Sequence, residues 1–269
     1  MKIYERDFSI LTKEELEEWG TIKEKEKIYL GNKEKIGRKN LYRQYPKAVR
    51  HYLSLFPNNY LDIVDLSNED NIIEINKQYL NILDNKTTSE RTILNFIKEK
   101  NAYYIIASLL KSNFNFGHHE AYIIPEFMLG ISYRADYLII GKSSGGYEFV
   151  FVELESPYGN IIINNGELGE NFRKGLKQVN DWDEWLDAHY SSVSETFMKY
   201  KHPDKLLPSE FCKLDKTRIH YVVIAGRRKD FNNKAYRLRR KYQEMCKITL
   251  LHYDNLFDSA NSIIGELTY

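Results

Sequence analysis

The apolar residues of this chain follow two periods, and the places where one gives way to the other predict its elements. Leu41, Tyr45, Val49, Tyr52, Leu53 and Phe56 recur at near-helical spacing over 38–55, and Pro57-Asn58-Asn59 ends the run. A second helical stretch covers 71–83 and stops at Asp84-Asn85-Lys86. Ahead of both lies a charge-rich segment, 1–35, in which Thr12 precedes Lys13-Glu14-Glu15 as an N-cap with acidic first-turn residues. Thr88-Ser89-Glu90 caps the next helix, whose Ile93, Phe96 and Ile97 share a face, and 103–110 adds further helical turns. Then the period changes to that of strands. After a strand over 122–129, the runs Tyr137-Leu138-Ile139-Ile140 and Phe149-Val150-Phe151-Val152 flank the turn-rich segment 141–146, a β-hairpin pattern. The polar, Gly-containing stretch 160–170 reads as a loop over one face. From there Phe172, Leu176, Val179, Trp182 and Leu186 return to helical spacing, an amphipathic helix laid on a sheet. The polar stretch 191–215, with Pro203 and Pro208, reads as a connection. The continuous apolar run 220–225 fits a strand covered on both faces; a helix over 232–245 and a strand over 248–253 close the chain.

Helix, three strands, helix, strand, helix, strand is the order of an α/β core with a central mixed β-sheet flanked by helices. It occupies 88–269, and 1–87 forms a helical N-terminal region whose role is not legible in its residues.

Composition narrows the setting. A chain of 269 residues can bury a sizeable core in one or two domains. Its net charge of +1 singles out neither nucleic acid nor membrane, although clustered basic residues are all that nucleic-acid binding requires. Cys212 and Cys246 are too few for a disulfide framework and lack zinc-like spacing, which fits a reducing cytoplasm. No apolar run reaches membrane-spanning length, and the first residues lack a signal-peptide core.

The chemistry sits where the hairpin breaks its own pattern. Asp136 stands before the first apolar run, and Glu153 and Glu155 stand where Val or Ile would continue the second. On a strand Glu153 and Glu155 share one face while Val152 and Leu154 take the other. Pairing of the two strands brings Asp136 beside Glu153. Carboxylates that close raise one another's pKa unless a cation joins them. Such oxygen ligands suit Mg²⁺ or Mn²⁺. Glu126, in the strand before the hairpin, is a further candidate, whereas Glu90 reads as a capping residue. His118-His119-Glu120 reads as a solvated loop, because neighbours on an extended segment face opposite ways.

On the helix after the hairpin, Lys174, Gln178, Asp181 and Trp185 form a second stripe. Gln178 is either a site residue or an ordinary surface Gln, and Lys174 is either a site cation or a solvated lysine. Arg227 and Arg228 open the densest basic stretch, continued by Lys229, Lys234, Arg237, Arg239, Arg240 and Lys241 with Tyr236 and Tyr242 interleaved. It suits a phosphate backbone, and equally a solvated face or an oligomer contact.

Asp136 followed by Glu153-Leu154-Glu155 resembles the metal site of the PD-(D/E)xK nucleases, with Glu155 standing where that superfamily has Lys. Phe151-Val152-Glu153-Leu154-Glu155-Ser156-Pro157 and Gln178-Val179-Asn180-Asp181-Trp182 resemble the nuclease domain of Shedu-type anti-phage proteins. So do His220-Tyr221-Val222-Val223-Ile224-Ala225-Gly226-Arg227-Arg228 and Leu250-Leu251-His252-Tyr253-Asp254, and the likeness spans 88–269. The resemblance implies a restriction-endonuclease-like core that hydrolyses DNA phosphodiesters and leaves 5′-phosphate ends. Asp136, Glu153 and Glu155 would hold Mg²⁺ or Mn²⁺, with Glu155 a ligand or general base and Gln178 positioning water or the phosphate. It also implies a homo-oligomer, a dimer or tetramer, and a sensing role for the N-terminal region. Lys174 is the candidate to supply the positive charge that Glu155 lacks. Two rivals are a catalytically inactive nuclease-fold module that binds nucleic acid or protein, and a small-molecule phosphodiesterase using the same carboxylates.

Overall fold

Pro46 reshapes the first predicted helix. Lacking an N–H and disfavouring helical backbone in the residue before it, it reduces the run over 38–55 to a 3-10 turn, Tyr42–Gln44, and a short helix. In the computed structural model, which describes residues 2–30, 33–164 and 166–269, the chain begins with α1 (Lys13–Glu26). Thr12 and Glu15 cap that helix reciprocally. An antiparallel hairpin of β1 (Lys27–Leu30) and β2 (Lys33–Arg38) follows, where the charged sequence suggested only helix. Next come α2 (Lys47–Tyr52) and α3 (Glu69–Asp84), then α4 (Glu90–Glu99). The cap of α4 is Ser89, paired with Thr92, so Glu90 is the first helical residue and not the cap. Two short helices, α5 (Tyr104–Ala107) and α6 (Leu109–Asn113), lead to the sheet.

β3 (Glu120–Leu129), β4 (Tyr133–Ser143) and β5 (Gly146–Leu154) run antiparallel. The turn between β4 and β5 is shorter than the sequence suggested. Gly141 lies within β4, where a Cβ would stand 2.6 Å from the Phe116 ring, and the bend falls at 144–145. α7 (Glu170–Tyr200) crosses the sheet, with one non-helical residue at His189. It continues well into the stretch expected to be a connection, because Tyr190, Val193 and Phe197 carry its buried face among polar neighbours. Asn165, in the loop read over 160–170, lies outside the described residues. β6 (Ile219–Ile224), α8 (Asn233–Cys246) and β7 (Ile248–Leu251) complete a five-stranded mixed sheet of order β3-β4-β5-β6-β7, with β5, β6 and β7 parallel. The last strand ends early, and Tyr253 opens a final helix, α9 (Tyr253–Ser262).

Alternation along the strands creates two cores. Val150, Val152, Leu154, Val222 and Ile224 face α3 to α6 and α9. Phe149, Phe151, Tyr221 and Val223 face α7 and α8. Leu66, Ile72, Tyr79 and Leu83, all before residue 88, share the first core with the sheet. Among the described residues, no helix is long and apolar enough to cross a membrane.

Candidate active site

The ladder between β4 and β5 stops at Tyr137 opposite Val152. One step beyond, Asp136 Oδ2 accepts the Leu154 N–H at 2.7 Å, so a side chain takes the place of a backbone carbonyl as the strands part. That bond fixes Asp136 beside the end of β5. Glu153 shares the face of Phe149 and Phe151, toward α7, and is 4% exposed, with Oε2 making no hydrogen bond among the described residues. Glu155 is 2% exposed and held by its backbone: its N–H donates to Ile224 O at 2.8 Å and its carbonyl accepts the Tyr253 hydroxyl at 2.6 Å.

α7 supplies the other wall. Gly175 allows its approach, since a Cβ there would lie 2.5 Å from Val223 Cγ1 and 3.3 Å from Glu155 Cγ. Flanking that glycine, Lys174 Nζ donates to Glu155 Oε2 at 2.9 Å. Gln178, one turn further, has a buried Oε1 without a hydrogen-bond partner among the described residues. The stripe read from helical spacing thus reaches the carboxylates at Lys174. Trp182 is buried against Phe151, and Trp185 stacks on His189 away from them.

Burial dominates the electrostatics. It raises the Asp136 pKa well above the usual range; the Leu154 N–H opposes this, and Glu90 and Glu155 add to it. Burial likewise pushes Glu153 up strongly, reinforced by Asp136, Glu155 and Glu90. Glu155 is raised by burial and restrained by Lys174. Burial works to lower the Lys174 ammonium's pKa, but its bond to Glu155 leaves it raised. Glu90 therefore belongs with the acidic cluster, although its position at a helix start suggested a cap. The sequence signal was present in Ser89 and Thr92, which complete the capping box and leave Glu90 free of that duty. Glu90 and Asp136 line a common cleft of about 200 Å³ with Glu126 and Arg134. Glu126, within β3, has φ +49°, and its carboxylate pairs with Arg134 at 3.1 Å.

Glu153 Oε2, Glu155 Oε1 and Gln178 Oε1 have no hydrogen-bond partner among the described residues and are donors of the hard type that Mg²⁺ and Mn²⁺ prefer. In donor chemistry, though not in a preformed ligand geometry, that set suits such an ion. The carboxylates interact through their fields and do not converge on one point: no group of three or more His, Cys, Asp or Glu is arranged to hold a metal among the described residues. The His118-His119 pair is in a loop, where His119 Nε2 is 3.4 Å from Ser144 Oγ.

Arg227 and Arg228 lie elsewhere. Arg227 is 6% exposed, and its guanidinium binds Asp254 at 2.9 Å, Asp84 at 3.0 Å and the Leu83 carbonyl. It is an internal tie and presents no charge to a ligand. Arg228 pairs with Asp258, and its N–H donates to Asp254 Oδ2 at 2.7 Å. On α8, by contrast, Arg237, Arg240 and Lys241 are exposed and form no ion pair among the described residues.

A mixed sheet between helical layers, with buried carboxylates where its hairpin ends and a lysine from the crossing helix against them, defines an α/β protein with an acidic, polar site. The chain belongs to the Shedu family: the model described as Shedu protein SduA, C-terminal, matches residues 87–257, more than half of its length. That family is one of anti-phage defence proteins. Comparison with curated proteins finds no match.

Proposed function

We propose that this chain is a metal-dependent DNA endonuclease with a PD-(D/E)xK-like core, using the Glu-x-Glu variant of its motif. The observation that carries the reading is the set of buried, mutually repelling carboxylates with unpartnered oxygens beside Lys174. Burying like charges is costly, and a site that gives only one of its carboxylates, Glu155, a cation of its own is suited to a further cation. Asp136, Glu153 and Glu155 would hold Mg²⁺ or Mn²⁺, with Glu90 reinforcing the negative field. When bound, the ion supplies Lewis acidity toward the phosphate and lowers the pKa of water. The protein's own groups do the rest. Glu155 takes the proton from the attacking water, Lys174 beside it orients that water and offsets developing charge, and Gln178 Oε1 accepts its second hydrogen. A lysine carried by α7 in this way supplies the cation missing at position 155. A homo-oligomer, a dimer or tetramer, would suit the cutting of both strands.

The test is cleavage of supercoiled plasmid by the full chain with Mg²⁺ or Mn²⁺. Asp136→Ala is expected to lower the rate at least about a thousandfold, and Lys174→Met about a hundredfold, within the range for lost proton-transfer catalysis. Undiminished cleavage by Lys174→Met would remove its role. Binding without cutting under either ion would favour the inactive module, the reading to which Glu155 in the Lys position points.

A further inference from the structure

The N-terminal region holds a cavity of its own. It encloses about 350 Å³ between the first residues of the chain, the turn before α3, the first half of α3 and the stretch from α4 to α5. Most of its wall lies ahead of residue 87, where the family match begins. The floor is apolar, formed by Ile3, Leu61, Leu66, Ile72 and Ile75, all of them buried. Tyr4, Tyr103, Tyr104 and Tyr269 bring four aromatic rings to it. Tyr103 is also a wall of the cleft that holds Glu90 and Asp136.

The polar groups around this cavity fall into two sets. The first is satisfied internally. The Tyr4 hydroxyl donates to Tyr60 O at 3.1 Å and the Tyr104 hydroxyl to Asn76 Oδ1 at 2.8 Å, which fixes both rings. Lys47 and Asp65 pair with each other at 2.6 Å. The second set has no such partners. Tyr103 and Tyr269 are 6% and 5% exposed, yet their hydroxyls form no hydrogen bond among the described residues. A phenol buried that deeply normally has a partner. The side-chain amides of Asn68, Asn71 and Asn101 are likewise unbonded among the described residues, and Asn68 does not use its amide to cap α3. Lys100 is exposed and forms no ion pair among the described residues, so the lining carries one unpaired cation and no unpaired carboxylate.

These groups select a ligand by its shape and its edge. Tyrosine rings over an aliphatic floor favour a flat body with apolar faces, as in the stacking of bases on aromatic side chains. Two phenols and three amides both donate and accept, which matches a ring whose rim alternates donors and acceptors. A hydrocarbon ring would leave those groups unpaired, at a cost. The volume is near the lower end of small-ligand sites, about 300–1,000 Å³, which suits one base with its sugar and not a strand. We propose that this cavity binds a single nucleobase, carried by a free nucleoside or by its 5′-monophosphate, with the Tyr269 hydroxyl bonding the base edge and Lys100 facing the phosphate. That binding does not depend on the nuclease reading.

Isothermal titration calorimetry of the full chain tests it, with EDTA present so that no metal-bound ligand enters the acidic site. The probes are adenosine, guanosine, cytidine and thymidine, each also as its 5′-monophosphate, and at least one should bind with Kd below about 1 mM. Asn71→Trp, at the exposed mouth on α3, fills the cavity and should abolish that binding, with circular dichroism to show an intact fold. Tyr269→Phe keeps the ring and removes the hydroxyl, so affinity should fall about three- to tenfold, the worth of one neutral hydrogen bond. Lys100→Ala tells the two sources apart. It weakens the monophosphate and spares the nucleoside if the phosphate is held, and alters neither if the nucleoside is the ligand. No binding by any probe, binding untouched by Asn71→Trp or by Tyr269→Phe, or indole binding as tightly as the nucleosides would each overturn the proposal.

Discussion

Replacing Glu153 with Gln is expected to abolish cation-dependent cleavage and, above neutral pH, to make the folded protein more stable. Burial and the nearby Asp136, Glu155 and Glu90 raise the Glu153 pKa far above its ordinary 4.5. Between the ordinary value and the folded one, the folded state holds a proton that the unfolded state has released. Stability contributed by this group is therefore complete in acid, falls as pH rises through that window, and is lost above it. Gln carries the same shape without the charge, so its benefit appears only where Glu153 is being forced to ionise. A relief of about 1–3 kcal/mol is reasonable for one buried, unsatisfied carboxylate. At about 2–4 °C per kcal/mol for a chain of this size, the midpoint should rise by several degrees at pH 8.5 and hardly at all at pH 5. Added Mg²⁺ should raise the wild-type midpoint more than that of the variant, by about 2.7 kcal/mol of stability at a hundred times the dissociation constant. Thermal unfolding at the two pH values, with and without Mg²⁺, measures all of this. A midpoint that fails to rise at pH 8.5 would show that the cluster is not strained.

Arg227→Ala should cost far more stability than its place in a basic stretch suggests. The variant strands Asp254, which is only partly exposed, without the guanidinium that binds both its oxygens. Removing one partner of a buried pair costs about 3–5 kcal/mol. The same arginine donates to the Leu83 carbonyl, which also accepts the Tyr158 hydroxyl, so the end of α3 is tied to the loop following Glu155. Arg227→Lys should rescue little, because an ammonium cannot reproduce the forked contact. Urea unfolding should show a lower midpoint at unchanged slope. Wild-type stability combined with weakened DNA binding would instead return Arg227 to a nucleic-acid surface.

Periodicity was a sound guide wherever one face alone is buried. Ile93, Phe96 and Ile97 marked α4, and Phe172, Leu176, Val179 and Trp182 marked α7, because a helix on a sheet needs only that stripe. It failed where the buried residues are sparse or the polar ones are structural. The far half of α7 is helix because Tyr190, Val193 and Phe197 reach the core, yet its mean composition resembles a connection. The β1–β2 hairpin carries no alternation to read, and Tyr253 packs in the first core as the first residue of a helix, not the last of a strand.

What the sequence determined by itself is the order of elements around a mixed sheet and the identity of the interrupting carboxylates, since Asp136, Glu153 and Glu155 stand out against apolar runs whatever the fold does next. Only the tertiary structure decided which charges meet. Residues distant in the chain, Glu90 and Lys174, were drawn to those carboxylates, and Arg227 was drawn away into the interior. The reason is physical: strand and helix periods are local properties of the backbone, whereas the partner of a long charged side chain depends on how the layers stack and on what burial makes too costly to leave alone.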